Sequence, residues 1–198
     1  MSVFNLKYQN ASLDNKIVAG LERLSQVFRV LLWKKAKQHG LSPIQIQLLI
    51  FIQHHASDKS TVSYLAKEFN VTKPTISDAI KVLEQKKVIK KIADKRDTRS
   101  YTIQLTPQGK NIVLDTEHFV NPFTEIISGI SQTEKLGLWE NITTLINKLH
   151  QSGAITVQRT CHYCKHFSKK NSTPYCKLLE QKLQVQDIRI DCVEFEVA

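Results

Sequence analysis

Glycine is scarce in this 198-residue chain: there are six, and no two are adjacent. A phosphate-cradling loop needs several glycines close together so that backbone amides can wrap the anion, and the sequence offers no such loop. No apolar run approaches the roughly 20 residues that span a bilayer. Met1 to Asn10 also lack the charged start, apolar stretch and cleavage site of a signal peptide. The chain is therefore expected to be soluble and cytoplasmic, with no membrane partner. Cysteine is missing from the first 160 residues, and all four cysteines fall in the last 38. A reducing cytosol disfavours reading them as disulfides. No nucleophile–base arrangement or spaced carboxylate pair commits to catalysis, so no enzyme is expected.

Acids are in deficit, 18 Asp and Glu against 28 Lys and Arg, which leaves a formal charge of +10. Such a surplus suggests a polyanionic partner, either nucleic acid or an anionic surface. Its distribution is uneven. Residues 60–110 hold eleven Lys/Arg against five acids, whereas 111–158 hold two against five. Residues 159–182 are basic again, with six against one. That segmentation suits a binding surface better than a uniformly solubilised exterior.

Apolar spacing organises the rest. Ser12 caps a helix with Ile17, Leu21, Leu24, Phe28 and Leu31 on one stripe, stopping at Gly40. Ser42 and Gln45 form a capping box before a helix that is apolar nearly all round and hence buried. Two short helices follow, one with Val62, Leu65, Ala66 and Phe69, the other with Ile76, Ala79, Ile80 and Leu83. Only Asn70-Val71-Thr72 separates them, which forces a steep crossing, the helix-turn-helix arrangement. Val88, Ile89 and Ile92 mark one strand, and Tyr101, Ile103 and Leu105 alternate in a second; Asp94 to Arg99 form the hairpin tip. Thr106-Pro107 opens a helix with a kink expected at Asn121-Pro122. A second capping box, Ser131 to Glu134, starts a helix that Gly153 ends. Stripes on the helices at both ends exceed what a small central domain can cover, so a two-fold homodimer is expected.

With the second short helix's apolar residues facing inward, Lys73, Pro74, Thr75, Ser77, Asp78 and Lys81 point outward. Hydroxyls, an apolar ring and cations near a helix N-terminus suit base edges and phosphates of a major groove. At the hairpin tip Arg96 and Arg99 suit a minor groove, with Asp97 placed to orient one guanidinium. The run Val62 to Glu84 resembles the helix-turn-helix of the MarR (multiple antibiotic resistance regulator) family. Asp94 to Gly109 resembles that family's wing, including Leu105-Thr106-x-x-Gly109. The resemblance spans residues 12–153. It implies a mainly α winged helix-turn-helix dimer on double-stranded operator DNA, usually a repressor released by a small-molecule effector or an oxidant. Two residues depart from the pattern. Lys87 stands where the family usually has glycine, and Thr98 where arginine is common.

The tail changes character at Arg159. Cys161, Cys164, Cys176 and Cys192 give the spacing C-x2-C-x11-C-x15-C. Four soft thiolates can close a tetrahedral site and supply stability that so short a segment cannot build from a core. Both Zn²⁺ and a [4Fe-4S] cluster fit. The cysteine spacing resembles that of high-potential iron–sulfur proteins, and Phe167, Leu178, Leu179 and Phe195 are available to shield a cluster. His162 and His166 read as solvated, and His54-His55 as a packed or capping pair. The expected organisation is a dimerisation helix (1–40), a winged helix-turn-helix (41–110), further dimerisation helices (111–156) and a metal-binding tail (157–198).

Overall fold

The computed structural model describes residues 2–93, 101–157, 159–171 and 173–198. The chain divides into two compact units, residues 1–65 with 73–124, and residues 66–72 with 125–198. The mainly helical expectation holds, with a two-stranded sheet in the first unit.

In the first unit, α1 (Leu6–Gln9) is a single turn that periodicity did not signal. Next comes α2 (Leu13–Gln38), whose N-cap Ser12 accepts the Asn15 N–H at 3.2 Å. α3 (Pro43–His54) is the central buried helix. Gln45 accepts the Ser42 N–H at 2.9 Å to complete the capping box, and Ile46, Leu48 and Leu49 are fully buried. α4 (Val62–Glu68) and α5 (Lys73–Gln85) follow, then strands β1 (Ile89–Ala93) and β2 (Tyr101–Leu105). The strands pair antiparallel with Ile89 opposite Leu105 and Ala93 opposite Tyr101. The core of this unit gathers Ile46, Leu48, Leu65, Ile76, Ile80, Leu83, Val88, Ile103 and Val113.

α6 (Pro107–Thr116) runs into a 3-10 turn at Glu117–Val120, where His118 leaves helical geometry with φ −86° and ψ 15°. The expected kink at Asn121-Pro122 is thus displaced one turn earlier. Asn121 and Pro122 instead open α7 (Asn121–Ser128), a position where proline's missing N–H costs no helical bond. Of the histidine pair only His55 is packed, stacking on Phe51 with centroids 3.7 Å apart, while His54 is exposed and bonds Glu117 at 2.7 Å.

The second unit is built on α8 (Gln132–Gln151). Its capping box is formed by the Ser131 N–H donating to the Glu134 carboxylate at 3.0 Å and the Ser131 hydroxyl accepting the Glu134 N–H at 3.3 Å. The same unit holds a three-stranded antiparallel sheet, β3 (Phe167–Lys170), β4 (Thr173–Cys176) and β5 (Gln181–Lys182), in that order. The buried Leu183 and Ile188 give this module a small core, and the Tyr163 hydroxyl donates to Asn147 Oδ1 on α8 at 2.6 Å. Among the described residues, no helix is long and apolar enough to cross a membrane.

Candidate nucleic-acid interface and a four-cysteine cavity

The corner after α4 closes with a Schellman motif, in which Val71 N–H reaches back to Ala66 O at 3.0 Å. The motif needs a left-handed residue, here Asn70 at φ 52°, and asparagine tolerates that region better than most side chains. Glu68 ends α4 and Lys73 begins α5, so the chain turns within Phe69–Thr72.

α5 then separates its faces cleanly. Ile76, Ala79, Ile80 and Leu83 are buried, while Lys73, Pro74, Thr75, Ser77, Asp78 and Lys81 are all exposed. Every residue expected to face outward on this helix does so. Arg96, Asp97, Thr98 and Arg99 at the hairpin tip lie outside the described residues.

The exit of α5 is held by a second Schellman motif, with Val88 N–H bonding Leu83 O at 3.1 Å. Its left-handed residue is Lys87 at φ 58°, a conformation in which a lysine is strained. Thr106 locks this point to the base of β2. Its hydroxyl donates to Lys87 O at 2.8 Å, and its N–H donates to Val88 O at 3.0 Å. Gly109 sits against the same carbonyl so tightly that a Cβ there would lie 2.0 Å from Val88 O. The Leu-Thr-x-x-Gly run therefore fastens the root of the wing to the end of α5. The run is visible in sequence; the long-range contact that requires its glycine is not.

In the second unit, Arg159 is almost fully buried and grips two carboxylates. It donates to Asp191 at 2.6 and 2.8 Å and to Glu68 at 2.5 and 3.0 Å. The Asp191 bond and then the Glu68 bond hold its guanidinium above the usual range, against the opposing effect of burial. Thr156 adds a hydroxyl bond to Lys67 O at 2.9 Å. Nothing in the spacing of the sequence marks this clamp, which joins residues far apart in the chain.

Cys161, Cys164, Cys176 and Cys192 all line one cavity of about 30 Å³, together with Phe167, Leu178, Leu179, Leu183, Arg189 and Glu194. All four are free thiols. Arg189 serves two of them: its N–H donates to Cys161 Sγ at 3.3 Å, and its guanidinium to Cys192 Sγ at 3.6 Å. Burial pushes the Cys161 thiol up, only partly offset by the Arg189 N–H. His166 also lines the cavity but bonds Glu196 at 3.2 Å, and Phe195 is not among the lining residues.

A helix-turn-helix with an outward polar second helix and a two-stranded antiparallel wing defines a winged helix-turn-helix protein. Within that class, residues 39–100 match the model of the MarR family. Among solved structures, the chain is similar to Staphylococcus aureus MepR in a DNA complex: 28% identity over 65% of this chain and 94% of that one, TM-score 0.57. It is also similar to S. aureus MepR in a DNA-binding conformation, with 25% identity over 67% and 98% and a TM-score of 0.59. Streptococcus pneumoniae FabT in complex with DNA shares the fold at 24% identity over 68% and 98%, TM-score 0.56. The family match ends before the cysteine-bearing tail.

Proposed function

We propose that the chain is a transcriptional regulator that binds double-stranded operator DNA as a homodimer and acts as a repressor. The observation that carries this reading is the exposed face of α5, with two cations, hydroxyls and a proline set over a fully buried apolar spine. Such a helix places side chains on base edges while its cations meet phosphates. The basic surplus of residues 60–110 supplies the long-range attraction.

The dimer rests on the stripe of α2. Ile17, Leu21, Leu24 and Phe28 are each between 41% and 49% exposed, a contiguous apolar surface of the kind that marks an interface. The family resemblance brings a small-molecule effector into the proposal. The rival reading, a redox or metal protein whose helices only dimerise, gives the polar face of α5 no work.

The test is retention on a duplex from upstream of the chain's own coding sequence, measured across salt concentrations. Sequence-selective retention is expected. Lys73→Ala and Lys81→Ala should each weaken it and reduce the salt slope by about one. Equal affinity for unrelated duplexes, or unchanged slopes in both variants, would overturn the reading.

A further inference from the structure

The four-cysteine cavity lies outside the interface just described, and the spread of its thiols discriminates between occupants. A single tetrahedral zinc holds thiolates at about 2.3 Å, which brings the sulfurs to about 3.8 Å from one another. Among the described residues, no three His, Cys, Asp or Glu side chains converge in a way that could hold one metal ion. The four cysteines instead stand around one shared cavity of about 30 Å³ without closing on a single point. A polynuclear cluster meets its ligands across this kind of space, because bridging sulfides stand between the thiolates. The wall suits it as well. Phe167, Leu178, Leu179 and Leu183 give it an apolar lining, and Arg189 directs N–H donors at two of the sulfurs while supplying a positive charge beside an anionic group.

The ligands are also tied to the helix-turn-helix corner. Cys161 stands two residues after Arg159, and Cys192 directly follows Asp191, so two of the four ligands flank the clamp. Cys192 N–H donates to Arg159 O at 3.2 Å, and Arg159 in turn grips Glu68, the last residue of α4. A group that fixes Cys161 and Cys192 fixes both sides of that grip.

We propose that Cys161, Cys164, Cys176 and Cys192 ligate an iron–sulfur cluster, and that Arg159 transmits its presence to Glu68 at the corner preceding α5. The cluster assignment stands alone; the transmission rests on the DNA-binding reading. The test uses the full chain, purified anaerobically from iron-supplied cells, with iron, acid-labile sulfide and zinc measured alongside visible absorption. DNA retention is then compared with and without the cluster.

Iron and sulfide in equal amounts are expected, and Cys176→Ser should lose both. Removing the cluster should weaken retention about fivefold or more. Arg159→Lys, which keeps the charge but not the two-sided fork, should retain the cluster and lose retention to the same extent. One zinc per chain without sulfide, or failure to take up iron and sulfide on anaerobic reconstitution, overturns the cluster. Equal retention in both forms overturns the transmission. If neither form retains DNA while iron and sulfide are present, the regulator reading and the transmission fail together and the cluster assignment stands.

Discussion

Among the described residues, four helix ends use the same closing motif, and they differ in the residue that supplies the left-handed turn: Gly40, Asn70, Lys87 and Gly153. Lysine is the expensive choice. Lys87→Gly is expected to raise stability by about 1 kcal/mol, read as a higher urea midpoint; a lower midpoint would reject the strain. Gly109→Ala should act in the opposite direction, because a Cβ 2.0 Å from Val88 O forces apart two segments that Thr106 holds together. A loss of about 2 kcal/mol or more is expected in the same assay. The two positions differ in how far sequence exposes them. The strain at Lys87 is legible because the family resemblance places a glycine there. The need at Gly109 arises from a carbonyl twenty-one residues earlier, which no local pattern encodes.

Periodicity read the elements well where one face is buried. α5 shows its buried and exposed sides in the sequence because Ile76, Ala79, Ile80 and Leu83 recur every three or four residues. Legibility fails where local geometry competes. The break after α6 falls at His118 rather than at the proline, since Pro122 fits comfortably inside the first turn of α7. The packing of α6 on α2 adds a feature that sequence does not show. Asp115 accepts from His39 at 2.8 Å and from Lys35 at 3.4 Å, and the His39 bond, followed by the Lys35 charge, holds its carboxyl below the usual range. A carboxyl depressed in the folded state stabilises it above the ordinary carboxylate pKa of about 4, and that contribution is lost as pH falls through the folded value. Asp115→Asn should therefore flatten the acid limb of a melting-temperature profile; parallel profiles for variant and parent would dismiss the contact as energetically silent.

At the scale of the whole molecule, the exposed stripe of α2 makes assembly the first property to measure. Sedimentation at micromolar concentration should show a dimer, and Leu24→Asp with Phe28→Asp should shift it to monomer; a parent that sediments as a monomer would remove the dimer from the proposal. The sequence announced the winged helix through its own periodicities, and it announced the tail through four cysteines. It could not announce that Arg159 would bind a carboxylate ninety-one positions earlier, because that pairing exists only once the chain is folded. The end of α5, the root of the wing and the start of α6 are fastened together at the Lys87 and Val88 carbonyls. On the proposed DNA-binding reading, a push on α6 would reach α5 through these bonds, so a small displacement would suffice for release.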